Sequence, residues 1–239
     1  MKRIDKRHHD ELRKISVKRH YIKHATGSCL IEFGHTRVVC TAMAENTVPQ
    51  FLKNTGKGWV SAEYGMLPGS TAQRMMRERN KLSGRTHEIQ RLIGRALRNV
   101  VDTKNLGERT IWIDCDVIQA DGGTRTASVV GGYIAMVDCL QKLQKDSQIR
   151  DICVRDYLGA ISVGMLKGDC LLDLCYEEDC IADVDMNVVM RGNGEFIEVQ
   201  GTGEHASFSQ EELTKLLGTA KKGIHQIIDM EKEMFAGLF

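Results

Sequence analysis

A glycine turn between a predicted strand and a predicted helix is the feature that most constrains how this chain can fold. Residues 110–118 alternate between apolar and polar side chains, and residues 127–143 are apolar nearly all round over a helical length. Gly122 and Gly123 lie between them, and glycine lets the backbone turn with positive φ angles and approach a ligand closely. The strand residues predicted to share one buried face are Ile111, Ile113, Cys115 and Val117.

The residues that follow the two glycines have the chemistry of an anion site. Thr124, Arg125 and Thr126 would occupy the first turn of the helix, where N–H groups lack partners within the helix and the dipole is positive. Amide, hydroxyl and guanidinium donors at such a turn suit phosphate. A tight turn with a surface arginine would share these letters, but the flanking strand and helix favour the phosphate site.

Composition bounds the class of protein. A chain of 239 residues, 42% hydrophobic and 27% charged, can form one large or two small globular domains. No apolar run approaches the ~20 residues that span a bilayer, and the basic N-terminus lacks the apolar segment of a secretory signal. The eight cysteines include no C-x-x-C pair, which favours reduced thiols over disulfides or zinc. We therefore expect a cytoplasmic protein without a membrane segment.

Two stretches of the chain are rich in cations. Residues 1–23 are basic, which predicts a solvated arm. Residues 74–98 hold eight lysines and arginines against two glutamates, a surplus of six that suits a polyanion such as RNA. A charged surface or a subunit interface is the alternative for this stretch. Arg85 stands apart as a candidate phosphate ligand, because it precedes the amphipathic helix predicted over 86–101 and follows Ser83 and Gly84.

The remaining pattern predicts hairpins and one more helix. Strands are expected over 27–33 and 37–44, whereas 61–84 has the composition of a loop and 142–151 that of a linker. Later strands are expected as hairpins. A capping box at Ser209 and Glu212 precedes a final amphipathic helix.

Acidic residues are concentrated just before a strand in the second half of the chain. Asp185 opens the apolar run 186–190, and Asp179 lies six residues earlier across a loop. Two carboxylates so placed can converge on Mg²⁺, which takes a few carboxylates together with substrate oxygens and water. An acidic loop that keeps a strand edge soluble is the alternative. A phosphate site nearby favours the metal, since phosphoryl transfer needs both parts.

Five stretches of the chain carry a resemblance to a known family. Residues 23–34, 58–68, 83–98, 107–128 and 178–190, in this order, resemble the ribonuclease PH family of phosphate-dependent exoribonucleases, which trim the 3′ ends of tRNA precursors and release nucleoside diphosphates. The resemblance implies an α/β (α+β) fold, a duplicated β-α-β-α arrangement of mixed sheets with helices packed on one face. It implies a first half over 1–145, a second half over 146–239, and a homohexamer built as a trimer of dimers.

The resemblance also assigns roles to the residues already singled out. It implies that inorganic phosphate, the co-substrate, binds at Arg85, Gly123, Thr124 and Arg125. It implies that Asp179 and Asp185 are the catalytic carboxylates and the ligands of Mg²⁺ or another divalent cation. RNA, chiefly tRNA precursors, would bind at Arg74 and Arg77.

Two departures and two alternatives complete the sequence analysis. The family usually has an arginine where this chain has Gly69, and its loop is commonly longer than residues 78–82. We expect both changes to affect tRNA affinity and not the chemistry.

A non-catalytic RNA-binding subunit of an exosome-like ring is the first alternative, although it would be expected to lack the phosphate site or the carboxylates. A small-molecule phosphotransferase is the second, and it leaves the cationic stretch unexplained.

Overall fold

Two β-sheets form the framework of the protein. The structure, a computed structural model, describes residues 3–78 and 81–238. The first sheet has the strand order β1-β2-β3-β5-β4, in which only β4 and β5 pair in parallel. Its strands are β1 (Ile15–Arg19), β2 (Gly27–Phe33), β3 (Thr36–Glu45), β4 (Trp59–Met66) and β5 (Thr110–Gln119).

The second sheet is formed by the later part of the chain. Its order is β7-β6-β8-β9, and every pair is antiparallel. Its strands are β6 (Leu158–Leu166), β7 (Asp169–Leu172), β8 (Val184–Arg191) and β9 (Phe196–Gly203). The predicted α/β fold with two sheets is therefore confirmed. The division of the chain at residues 145 and 146 stays a prediction.

The described residues also form three long helices and two short ones. The helices are α1 (Gly84–Val100), α2 (Thr103–Leu106), α3 (Thr124–Lys145), α4 (Tyr176–Asp179) and α5 (Gln210–Met234), with a 3-10 turn at Gln50–Leu52. The apolar stripe predicted for α1 is buried, and Ser209 and Glu212 form the predicted capping box of α5. Among the described residues, no helix combines the length and apolar character needed to cross a membrane.

Helix α3 packs against strands of both sheets, which explains why it is apolar nearly all round. Small side chains allow this close contact. Cys29, Cys40 and Cys115 lie side by side across β2, β3 and β5, and a Cβ atom at Gly131 of α3 would lie only 2.6 Å from Cys40 Sγ. All eight cysteines are free thiols, as predicted.

Three sequence predictions were wrong. Residues 61–66 are not loop but belong to β4, whose pattern of exposure follows no simple alternation. Residues 142–145 are not linker but the last turn of α3. The basic residues 1–23 are not a solvated arm throughout. Arg3 and Arg13 are 3% and 6% exposed because they pair with Glu178 of α4 and with Asp173, which follows β7, and β1 is an edge strand.

Burial of Glu231 in α5 makes the stability of the fold depend on pH. The residue is fully buried; its Oε2 accepts a hydrogen bond from the Leu158 amide at 3.3 Å, and its Oε1 has no partner among the described residues. Burial raises the pKa of this carboxyl well above its usual 4.5, and the charge of Asp156 adds to the effect. The neutral acid therefore supports folding, and this support is lost as pH rises toward the folded-state pKa.

We expect Glu231→Gln to stabilise the protein increasingly as pH rises from 5 to 8. The amide cannot ionise, so the variant avoids the cost of a buried charge, about 1–3 kcal/mol at the upper pH. The measurement is the free energy of unfolding in urea at each pH, with Glu233→Gln on the exposed side of the same helix as control. Equal effects of the two substitutions at every pH would contradict this account.

Candidate active site

The glycine turn has the conformation that an anion site requires. Gly122 and Gly123 have φ angles of +74° and +64°, a region that side chains with a Cβ atom rarely adopt. Gly123 is the N-cap of α3, and the first bond within the helix runs from the Ala127 amide to the Gly123 carbonyl at 3.0 Å. The amides of Thr124, Arg125 and Thr126 precede this bond, so the helix offers them to a ligand.

The same turn joins the two sheets. A Cβ atom at Gly122 would lie 2.5 Å from the carbonyl oxygen of Leu174 and 2.9 Å from the amide of Tyr176. The Tyr176 amide also donates to the Asp121 carboxylate at 3.2 Å. Since Tyr176 begins α4, the turn contacts the short helix that ends at Asp179. These contacts hold the glycine turn close to the helix that carries Asp179.

The first two side chains of α3, Thr124 and Arg125, contact residues of other elements. Arg125 Nη1 donates to Gln200 Oε1 of β9 at 2.7 Å, and Gln200 in turn donates to Glu88 of α1. Thr124 Oγ1 lies 3.0 Å from the hydroxyl of Tyr64 on β4. The Arg125 side chain is thus oriented by strands and helices and does not depend on a flexible loop.

The paired carboxylates face these cations. Burial raises the pKa of both Asp179 and Asp185. The charge of Asp185 raises the pKa of Asp179 further, and Glu204 does the same for Asp185. Arg125 and Arg85 act on both carboxyl groups in the opposite direction, which shows that both arginines are close enough to sense them.

The carboxylates fit a hard cation that keeps other ligands. Asp185 Oδ1 is buried without a hydrogen-bond partner among the described residues, an arrangement that is costly unless something binds there. Within the part of the chain that the structure describes, no three histidine, cysteine or acidic residues form a complete metal site. Two carboxylates therefore suit a cation such as Mg²⁺, which takes its remaining ligands from water and substrate.

One cavity of about 1130 Å³ brings the predicted site residues together. Both sheets and the helices α1, α3 and α4 contribute to its wall. The predicted residues that line it are Arg85, Gly123, Thr124, Arg125, Asp179 and Asp185. Arg74 and Arg77 are exposed and are not among the residues that line the cavity. Their neighbours Thr71, Gln73 and Met75 do line it.

The sequence analysis missed several residues that line or contact the site. Ser162 and Asn187 lie opposite each other on β6 and β8, and Asn187 shares a strand face with Asp185. Ser162, Asn187 and Gln200 line the cavity, but single polar residues in strands are common. Alternation from Asp185 along β8 could have indicated Asn187. No local pattern could have indicated Arg13 or Thr36, which contact the glycine turn from 109 and 86 residues away.

The clash at Gly122 generates a testable comparison. We expect Gly122→Ala to destabilise the protein by several kcal/mol, because strain from the positive φ and the overlap with Leu174 add together. Gly168→Ala is the matched control: its φ is +82° but nothing lies within 4 Å of its Cβ, so we expect a cost of about 1–2 kcal/mol. Thermal unfolding of both variants measures the difference. Similar melting temperatures would show that the close contact is not maintained in solution.

Comparison with known proteins identifies the family. The family model for domain 1 of the 3′ exoribonuclease family matches residues 11–140. The model for domain 2 of the same family matches residues 156–223. Ribonuclease PH of Bacillus pumilus (strain SAFR-032) is 58% identical over 233 residues, which cover 96% of each chain. Ribonuclease PH of Bacillus cereus (strain G9842) is 58% identical over 234 residues, 97% of this chain and 96% of the relative.

Solved structures show the same fold at low sequence identity. The Archaeoglobus fulgidus exosome with RNA bound to the active site has a TM-score of 0.84 at 20% identity and covers 97% of this chain and 93% of that chain. Rice Rrp46 has a TM-score of 0.77 at 17% identity and covers 97% and 99%. With two family domains and relatives matched over nearly their whole length, this chain belongs to the ribonuclease PH group of the 3′ exoribonuclease family.

Proposed function

We propose that the protein is a phosphorolytic exoribonuclease that shortens RNA from its 3′ end, chiefly tRNA precursors, with inorganic phosphate as co-substrate. The observation that carries the proposal is the single cavity in which an anion-binding turn and two arginines face paired carboxylates. The two relatives at 58% identity, both named ribonuclease PH, support the same activity.

The reaction follows from what each side of the cavity can hold. The amides of Gly123 and Thr124, together with Arg85 and Arg125, bind inorganic phosphate as the nucleophile. One of its oxygens forms a bond to the phosphorus of the last phosphodiester, and the bond from that phosphorus to the 3′ oxygen of the preceding nucleotide breaks. The products are a nucleoside diphosphate and an RNA that is one nucleotide shorter. Similar bonds are made and broken, so the reaction is readily reversible.

The carboxylates act on the opposite side of the reacting phosphorus. Asp179 and Asp185 would hold a divalent cation, Mg²⁺ in our proposal, which when bound neutralises charge on the transferred phosphoryl group. The leaving 3′ oxygen needs a proton, and we assign its transfer to Asp185. Burial raises the pKa of the Asp185 carboxyl above its usual value, the direction that favours proton transfer by this group.

The exposed cations beside the cavity account for RNA affinity. Arg74 and Arg77 lie on the segment that borders the cavity, where they can neutralise backbone phosphates. No atom lies within 4 Å of the position that a Cβ atom would take at Gly69. Glycine in place of the family's usual arginine therefore removes a cation without disturbing the fold. The shortened loop 78–82 includes residues 79 and 80, which lie outside the described residues.

The alternatives explain fewer of the observations. A non-catalytic RNA-binding subunit of an exosome-like ring would have no use for a phosphate turn and two paired carboxylates in one cavity. A small-molecule phosphotransferase leaves the exposed Arg74 and Arg77 without a role.

We also propose a cytoplasmic location and a homohexamer arranged as a trimer of dimers. Light scattering at micromolar concentration tests the hexamer, and a monomer alone would refute it.

Phosphate dependence is the direct test of the proposed activity. We expect wild-type protein to release nucleoside diphosphates from RNA only when inorganic phosphate is present, because phosphate is the nucleophile. Chromatography of the products with and without phosphate measures this. Nucleoside monophosphates released at the same rate without phosphate would indicate hydrolysis and refute the proposal.

Substitutions at the two charged sides of the cavity should fail differently. Arg125→Ala should raise the KM for phosphate and slow turnover, a loss of about 2–4 kcal/mol of transition-state stabilisation. Asp185→Asn should nearly abolish phosphorolysis and the reverse polymerisation while RNA still binds, since the exposed cations are unchanged. Arg150→Ala, an arginine 95% exposed and outside the cavity lining, is the control. Near-normal turnover of Asp185→Asn in Mg²⁺ would disprove the carboxylate assignment.

A further inference from the structure

Two carbonyl groups at the glycine turn accept hydrogen bonds from the side chains of Arg13, which precedes β1, and Thr36, the first residue of β3. The Asp121 carbonyl accepts a hydrogen bond from Arg13 Nη1. The Gly122 carbonyl accepts from Thr36 Oγ1 at 2.6 Å and, more weakly, from Arg13 Nη2 at 3.4 Å. Thr36 Oγ1 also accepts from the Asp121 amide at 2.9 Å. Arg13 and Thr36 together therefore fix both peptide groups that precede the N-cap of α3.

The geometry of the peptide bond converts this into a direction for the amides. In a trans peptide the C=O and the following N–H point to opposite sides of the chain, and none of the described peptides is cis. A carbonyl of Asp121 held by Arg13 turns the Gly122 amide the other way. A carbonyl of Gly122 held by Thr36 does the same for the Gly123 amide. Both amides consequently face away from Arg13 and Thr36.

The side away from Arg13 and Thr36 is the candidate active site. Gly122 and Gly123 line the main cavity, whereas neither Arg13 nor Thr36 is among the described residues that do. Arg13 instead lines a second cavity of about 530 Å³, to which neither Gly122 nor Gly123 contributes. Thr36 is fully buried. The two side chains are thus placed to act on the turn and not on a ligand.

The arginine is itself held in a fixed orientation. Arg13 Nε donates to Asp173 Oδ2 at 2.9 Å and Nη2 donates to Asp173 Oδ1 at 2.7 Å, so the guanidinium binds the carboxylate in a bidentate manner. The Arg13 amide also donates to Asp173 Oδ2 at 2.9 Å. Because Asp173 is fully buried, this orientation does not depend on a solvent-exposed contact.

We propose that Arg13 and Thr36 are positioning residues for inorganic phosphate, which aim the amides of Gly122 and Gly123 into the cavity without touching phosphate or RNA. The proposal rests on the proposed function and deepens it, because it assigns phosphate affinity partly to residues outside the site. Loss of either side chain leaves Arg85 and Arg125 in place but frees the turn to rotate its peptide groups. Phosphate affinity should suffer, and RNA affinity should not.

The main test is Thr36→Val, which keeps the shape of the side chain and removes its hydroxyl. We expect the KM for phosphate in phosphorolysis, and that for nucleoside diphosphate in the reverse reaction, to rise by about 10-fold. The KM for RNA should stay within about twofold, since its cationic contacts are unchanged. Thr36→Ser restores a hydroxyl and should return both phosphate-side constants toward the wild-type values.

Thr110→Val is the matched control. The Thr110 hydroxyl is equally buried, on the first sheet, and donates to the Thr47 carbonyl at 2.7 Å, far from the glycine turn. The Thr110→Val variant should have a lower melting temperature, as Thr36→Val should, but its KM for phosphate should equal that of the wild type. If Thr36→Val does not fold, Arg13→Lys, which keeps the charge and loses the bidentate geometry, is measured in the same assays with the same expectation.

The outcomes separate this inference from the proposed function. Wild-type protein that degrades RNA without phosphate refutes the proposed function. If the wild-type protein depends on phosphate but Thr36→Val and Thr110→Val have the same KM for phosphate, only the positioning role is refuted. A parallel rise of the RNA and phosphate KM values also refutes it, because it would indicate a general loss of structure.

Discussion

The buried ion pair between Arg13 and Asp173 is the contact on which the candidate site depends most. Arg13 belongs to the segment before the first sheet, and Asp173 follows β7 of the second, with side chains 5% and 0% exposed. Removing one partner of such a pair leaves an uncompensated buried charge, which typically costs about 3–5 kcal/mol. A second buried ion pair lies beside the first one. It joins Arg3 Nη2 to Glu178 Oε2 at 2.6 Å. The N-terminal segment therefore connects the glycine turn with the helix that carries Asp179.

The short helix α4 shows how neighbouring acids acquire different roles from their surroundings. Successive residues of a helix point about 100° apart, so Glu178 is buried against Arg3 while Asp179 lines the cavity. Burial acts to raise the pKa of Glu178, but the Arg3 guanidinium outweighs it and holds the pKa below its usual value. Burial and Asp185 raise the pKa of Asp179. Glu178 is thus held in a buried ion pair, whereas Asp179 lines the cavity.

Local sequence patterns predicted most of the fold and six of the residues that line the main cavity. Periodicity located α1, α3 and α5 and most strands, because each has one consistent relation to the core. The glycine turn and the acids Asp179 and Asp185 could be singled out because the residues of each group lie within a few positions of one another in the sequence. Strand β4 was missed because it pairs in parallel at a sheet edge and lacks alternation. Arg3 and Arg13 were taken for solvated cations because charge says nothing about a partner 175 or 160 residues away.

Those long separations have a consequence for how the protein is made. Closing a chain over such distances costs entropy that only the completed contact can recover. During synthesis from the N-terminus, the first sheet, the glycine turn and α3 emerge well before Asp173 and Glu178. Arg3 and Arg13 then lack the carboxylate partners of their ion pairs, and the turn lacks the support of Leu174 and Tyr176. A half-made chain therefore holds neither the amides nor the carboxylates in place, and a nuclease of this design gains its cutting ability only when the whole polypeptide has folded.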